Sequence, residues 1–236
     1  MRNSFREIAI TVVGALALSF VFRTAAFAVY YIPSESMVPT LQVGDRIAVS
    51  KYSYGWGRFS LPGVNLPAAI EGRAFGHLPE RGDIAVFARP SDGETMVKRV
   101  IGLPGDRIEI RRGRLVINSI VVARQHVRSV RYREDMGRPV TVDQFTEILP
   151  GGRSYPIYQR VGYGAAETMP ELIVPPGRLF MLGDNRDNSA DSRFELGAVP
   201  IGNLIGRGEA ILFSLKSCTP EPELECARRK YLSRLK

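Results

Sequence analysis

The chain divides by pattern into two unequal parts. From Ile8 to Phe22, IAITVVGALALSFVF is apolar without a break for charge, whereas after Leu41 the sequence runs in short alternating segments. A continuous apolar run predicts a buried or lipid-facing helix, and alternation predicts half-buried strands. Three of the alternating segments open alike: Gly44-Asp45 precedes RIAVS, Gly82-Asp83 precedes IAVF, and Gly105-Asp106 precedes RIEI. Glycine and aspartate supply turn chemistry, so each pair marks the entrance to a strand. IEIRRGRLVI (108–117) reads as a hairpin, and RLFML and EAILFSL supply later strands. No long amphipathic helical period follows residue 33. The expected fold is mainly β: a barrel-like antiparallel core with a smaller inserted β domain, preceded by one N-terminal transmembrane helix.

As a helix, Ile8–Phe22 covers about 22 Å, short of a hydrocarbon core of roughly 30 Å. Continuing the helix to Ile32 supplies the length, lets Arg23 snorkel outward, and sets Tyr30 and Tyr31 at the interface. Arg2 and Arg6 precede the run, which places them in the cytoplasm and exports the bulk of the chain. Ala26-Phe27-Ala28 also outlines a cleavable secretory signal with an A-x-A site. Retention of the segment is the expectation. The loop KYSYGWGRFSLPGVNLP (51–67) holds Trp56 with Tyr52, Tyr54, Phe59 and Leu61, and is either self-packed or an interfacial wedge.

The 236 residues suffice for one large domain or two small ones. Residues 122–178 are richer in charge, Pro and Gly. The expected division is a tip and anchor (1–32), a core from 33–106 and 179–216, an inserted domain (107–178) and a basic tail (217–236). Of the net charge of +8, five cations (Arg228, Arg229, Lys230, Arg234, Lys236) lie in the last ten residues, leaving +3 elsewhere. That tail reads as a solvated terminus or a contact to anionic lipid. No helix-turn-helix or aromatic-interleaved basic stripe accompanies it, so nucleic acid is not expected as a partner. Cys218 and Cys226 are the only cysteines; with two remote histidines they fill no zinc site, and no metal or cofactor is expected. In an oxidising compartment they can pair.

Candidate chemistry starts in IPSESMVPTL (32–41), where Ser34 and Ser36 flank Glu35. Neither histidine sits in a triad-like context: His77 precedes a Leu-Pro turn and His126 lies among arginines. The remaining way to activate a serine is a lysine that desolvation has made neutral. Of five lysines, Lys230 and Lys236 are in the tail, Lys216 closes a strand, and Lys51 enters a glycine-rich loop and should be wet. Lys98, in ETMVKRVIGLPGD, lies mid-strand with Met96 and Val100 on its own face and Arg99 on the other. The polar run GDNRDNSADSR (183–193) is no EF-hand loop: Asp187, Ser189 and Asp191 match alternate ligand positions, but Ser192 stands where glycine is required and Ala198 at the last ligand position. It reads otherwise as an Asx-rich turn.

Taken together, PSESMVPTL, GDRIAVSKYSYG, RGDIAVF, MVKRVIGLPGD and GDNRDNSADSR resemble, in order, the type I signal peptidases, Ser-Lys membrane proteases that cut signal peptides from exported preproteins. That resemblance implies Ser36 as nucleophile, Lys98 as base, Ser34 in the oxyanion hole with the Ser36 N–H, Ser189 orienting the lysine amine, and an Asp191–Arg193 ion pair beneath the site. It implies pockets for small side chains lined by Tyr30, Ile32, Pro33, Met37, Leu41, Val86, Met96 and Val97. Implied partners are signal peptides and the phospholipid membrane, with no obligate protein partner. The implied location is the bacterial inner membrane, spanned once, with catalysis on the periplasmic side.

Three positions depart from the family pattern. Glu35 stands where glycine is usual, Met96 replaces a common aromatic, and RFELGAVP has one residue more than the usual RxWGxVP and lacks its Trp. None removes a catalytic group. The alternatives are a specialised pilin- or conjugation-type peptidase with few substrates, a self-cleaving Ser-Lys regulator like the SOS repressors, and a silent scaffold on the same fold. An apolar anchor in place of a DNA-binding domain speaks against the regulator, and the intact serines and lysine speak against the scaffold.

Overall fold

The computed structural model describes residues 2–60, 72–134, 137–160, 168–215, 221–226 and 230–235, with backbone alone at 2–5 and 20–25. Helix α1 (Arg2–Ala26) leads into strand β1 (Phe27–Tyr31). There follow β2 (Asp45–Ser50), β3 (Ile84–Ala88), β4 (Thr95–Gly102), β5 (Arg107–Arg111), β6 (Arg114–Ile117), β7 (Ile120–Val121), β8 (Ala123–Arg133), β9 (Pro139–Ile148) and β10 (Ser154–Gln159). The last strands are β11 (Met169–Ile173), β12 (Arg178–Leu182), β13 (Val199–Pro200), β14 (Leu204–Ser214) and β15 (Tyr231–Arg234). The fold is mainly β, as the alternation predicts. An eight-stranded sheet is ordered β1-β2-β14-β3-β4-β12-β13, with β15 on β14; β10-β9-β8 and β11-β5-β6-β7 form two smaller sheets.

The repeated Gly-Asp pairs are one device used three times. Gly44, Gly82 and Gly105 all have φ near +90°, a region closed to most side chains. In each turn the aspartate N–H donates to the carbonyl three residues earlier: Asp45 to Gln42 (3.1 Å), Asp83 to Glu80 (3.1 Å), Asp106 to Leu103 (3.0 Å). Each carboxylate accepts the N–H of that same residue in return. The turn is thus satisfied from within before the strand begins. In the 108–117 hairpin, Arg112 and Gly113 both have positive φ, as a two-residue primed turn requires.

Where the reading carries the helix on to Ile32, the structure ends it at Ala26. Phe27–Tyr31 instead pairs with β2, Phe27 opposite Ser50 and Tyr31 opposite Arg46. Aromatic and branched residues favour that pairing, and ladder partners decide against further helix. Among the described residues no helix is long and apolar enough to cross a membrane. The side chain of Arg23, along with Leu61 and Cys218, lies outside the described residues. Cys226 is disulfide-bonded.

Residues 107–178 build both smaller sheets, yet their core is shared with the main sheet: Ile101 of β4 and Phe180 and Leu182 of β12 pack with Ile108, Leu115, Ile117, Tyr155 and Ile157. The described part of the C-terminal segment is not a solvated tail. Glu221, Glu223 and Glu225 pair with Arg133, Arg131 and Arg128 along β8, and β15 then returns to β14. The Trp56 loop is tied down where it is described: Trp56 and Ala74 exchange backbone hydrogen bonds, and Arg73 donates to the carbonyls of Tyr54, Gly55 and Leu204.

Candidate active site

Three elements meet at the site. The chain leaving β1 makes a short 3-10 turn at Glu35–Met37, β4 runs alongside, and the GDN loop follows β12. The turn is clasped at its backbone: Val38 N–H donates to Glu35 O (3.0 Å), and Leu41 N–H to Met37 O (2.9 Å). Asn185 adds two bonds from the GDN loop, N–H to Ser36 O (3.1 Å) and Nδ2 to Glu35 O (3.3 Å).

These contacts deliver Ser36 to Lys98. Their Oγ and Nζ are hydrogen-bonded at 2.5 Å, with Ser36 8% and Lys98 3% exposed. Burial costs the ammonium its hydration and lowers the Lys98 pKa to about 8; Asp191 and Asp184 oppose the shift, and Arg89 and Arg193 add to it. Ser34 Oγ stands 3.3 Å from Ser36 Oγ. Lys51, expected to be wet, is also buried, with its pKa lowered by desolvation, so burial alone does not single out Lys98. What ties Lys98 to the candidate nucleophile is its contact with the Ser36 hydroxyl.

Asp191 and Arg193 form the expected pair, bidentate at 2.8 Å through Nε and Nη2. Asp191 also accepts the Gly183 N–H (3.0 Å), which ties the pair to the loop beside Ser36. Ser189 differs from expectation: its Oγ is buried without a hydrogen-bond partner, and the Lys98 amine is taken by Ser36. Tyr30, Ile32, Met37, Leu41, Val86 and Val97 converge in one apolar cluster. Met96 does not join them. It stands opposite Phe87 in the β3–β4 ladder and packs with it in a different cluster, because strand alternation turns it away from Val97. Pro33 is exposed. Both histidines are exposed, His126 lying 3.4 Å from Asp143.

Sequence reasoning missed a buried charge network under the site. Arg99, fully buried, binds Asp184 through Nε (2.8 Å) and Nη2 (2.7 Å) and donates to Gly82 O (2.7 Å). Thr40 Oγ1 donates to the same carboxylate. The Arg99 guanidinium lies 4.2 Å from the Tyr155 ring centroid, and Tyr155 OH and Arg186 both reach Glu147. An arginine whose same-face strand neighbours in VKRVIG are Val97 and Ile101 requires a buried counter-charge, and Asp184 of the quoted GDN supplies it. Among the described residues no group of acidic, His or Cys side chains is arranged to hold a metal.

The model of one family, signal peptidase, peptidase S26, matches residues 5–213. Signal peptidase I of Rickettsia typhi is 37% identical over 208 residues, spanning 85% of this chain and 77% of that protein. That of Rickettsia canadensis is 36% identical over the same span. A crystal structure of a signal peptidase I from Enterococcus faecalis V583 is 30% identical, covering 56% of this chain and 97% of that one, at a TM-score of 0.34. On the family match and the identity to the Rickettsia proteins, the chain belongs to the signal peptidase family, peptidase S26.

Proposed function

We propose that the chain is a serine endopeptidase that removes N-terminal signal peptides from exported preproteins, cutting after small residues of the A-x-A type with Ser36 as nucleophile and Lys98 as general base. The observation that carries the assignment of roles is the 2.5 Å contact between two buried groups, one a lysine with a lowered pKa. With the amine neutral, the Ser36 hydroxyl is the donor in that contact. Its oxygen attacks the scissile carbonyl carbon as Lys98 takes the proton. The oxyanion is held by the Ser34 hydroxyl and the Ser36 N–H, each such donor being worth about 3 kcal/mol in a dry site. The C–N bond then breaks, the Lys98 ammonium returns its proton to the leaving amine, and an acyl ester remains on Ser36. Water, deprotonated by Lys98, attacks the ester and frees the serine. The apolar cluster around Ile32, Met37 and Val86 supports reading this side as the small-residue pockets.

The anchor belongs to the same proposal: α1 crosses the bacterial inner membrane once and the β part works on the periplasmic side. Ile8, Ile10, Val12, Val13, Leu16 and Leu18 are all exposed, an apolar surface on several faces of the helix that suits lipid rather than water. Phe27, directly after the helix, and Tyr52, in edge-to-face contact with it, are both exposed, as aromatic groups at an interface would be. Retention of this segment is favoured because Phe27 and Ala28 are ladder residues, so a cut after Ala28 would remove the first two of the five residues of β1. The core at 33–106 and 179–216 would carry the chemistry, with 107–178 inserted.

The experiment is cleavage of an A-x-A precursor by purified protein in detergent. Ser36→Ala, Lys98→Ala and Lys98→Arg should each be inactive, the last because a guanidinium does not give up its proton. An active Lys98→Ala protein would refute the assignment. Carbonate extraction and the N-terminal sequence of the membrane-bound form test the anchor; a mature start at Val29 would count against it.

A further inference from the structure

The C-terminal segment reaches the active site. Lys230 lies near its end, and its Nζ donates to two backbone carbonyls, Thr40 O at 2.8 Å and Pro39 O at 3.3 Å. Those carbonyls belong to the stretch that follows the Glu35–Met37 turn, so the contact falls a few residues after the nucleophile. The other side of the same stretch is held by the core, where Thr40 Oγ1 donates to Asp184. Thr40 is therefore gripped by its side chain from within and by its carbonyl from the C-terminal segment.

Lys230 is itself well placed for this. Its N–H donates to Ser214 Oγ (3.1 Å), and that hydroxyl donates to Asp45 Oδ1 (2.5 Å). The other Asp45 oxygen accepts the Gln42 N–H, closing a ring of contacts around residues 39–45. β15 secures the following residues, with Tyr231 opposite Phe213 and Ser233 opposite Ile211, and Leu235 packs into the apolar cluster of Ile32 and Met37. Upstream, Glu225 N–H donates to Arg131 O (2.7 Å), beside the three Glu–Arg pairs on β8. The segment is fastened at both ends, with Lys230 between.

We infer that Lys230 is a positioning residue: by clamping the Pro39 and Thr40 carbonyls it holds the turn that presents Ser36 to Lys98, making the C-terminal segment part of the support of the active site. The inference rests on the Ser36/Lys98 reading. An ångström of misplacement between reacting groups costs about a hundredfold in rate, so loss of the clamp acts on turnover before it acts on substrate binding.

The test compares wild type, Lys230→Met, Lys230→Gln and Lys230→Arg in full-length protein, measuring kcat, KM, the pH dependence of kcat and the folded fraction by near-UV circular dichroism. Lys230→Met should lower kcat by about ten- to a hundredfold with KM within about threefold. Its acid limb should move to higher pH, because a loosened Ser36 contact no longer favours the neutral Lys98 amine. Lys230→Gln should fall between, and Lys230→Arg, which keeps several donors, should recover most of kcat. If kcat of the Met and Gln variants falls only with the folded fraction and the acid limb stays in place, Lys230 is merely structural and the inference is overturned. Inactive wild type, or active Ser36→Ala, would instead overturn the Ser36/Lys98 reading on which it rests.

Discussion

Gly183 passes so close to Ser36 that a β-carbon built on it would lie 2.4 Å from the Ser36 carbonyl oxygen and 2.2 Å from Ser189 Oγ. The backbone of the GDN loop can donate Asn185 N–H to that carbonyl only because nothing projects from Gly183. Gly183→Ala must push the loop and the nucleophile turn apart. The substitution should cost roughly 1–3 kcal/mol of stability by overpacking, and turnover should drop further than the folded fraction does. Thermal melts and precursor cleavage on the same preparation check both.

Lys98 sets the pH behaviour. Its pKa is near 8 when folded against an ordinary 10.5, so between those values the unfolded chain binds a proton that the folded chain does not. Stability from this group is therefore greatest above pH 10.5, falls as pH drops, and is fully lost below about 8, at a cost of about 3 kcal/mol. Lys98→Met should abolish cleavage while raising stability at pH 7 by up to that amount, and the gain should shrink as pH approaches 10. Wild-type kcat should rise with pH through an acid limb near 8. Chemical denaturation of both proteins at several pH values measures the first effect, and a pH–rate profile the second.

The Arg99–Asp184 pair is buried completely and bidentate. Removing one partner leaves a charge with no water, so Asp184→Asn should cost about 3–5 kcal/mol. The single amide oxygen left in that variant must serve Thr40 and both Arg99 donors, and activity should fall with it. Replacing both members by apolar residues should recover much of the stability and little of the activity. A double-mutant cycle in urea, read beside cleavage rates, separates the two.

Local signals were legible where the chain satisfies itself. The Gly-Asp turns close on their own backbone, so RIAVS, IAVF and RIEI were readable as strands, and the Arg112-Gly113 hairpin likewise. The end of α1 was not, because Phe27–Tyr31 is drawn into a ladder by β2, a partner no local pattern names. At the site, the Ser36–Lys98 approach was expected on family resemblance, and the lysine's burial on strand alternation. Lys51 and Lys230 read locally as a loop residue and a tail residue, whereas tertiary packing buries the first wholly and the second in part. The face on which Arg99 lies is legible but its partner is not, since alternation says where a side chain points but not what charge awaits it.

Ser189 offers the sharpest separation of stability from catalysis. Its Oγ is buried with no hydrogen-bond partner, a state that costs a folded protein about 1–3 kcal/mol. If the hydroxyl were only a filler, Ser189→Ala would stabilise the protein and leave cleavage unchanged. The hydroxyl lies against Gly183, on the loop that also carries Asp191 beside Lys98. When Lys98 gives its proton to the leaving amine and the Ser36 contact is spent on the acyl bond, the amine needs another partner to hold its direction, and Ser189 is the unengaged one. Ser189→Ala should then melt higher than wild type by a few degrees, as expected for ~1 kcal/mol, yet turn over about ten- to a hundredfold more slowly, while Ser189→Thr retains part of the rate. Higher stability with undiminished kcat would remove Ser189 from the mechanism.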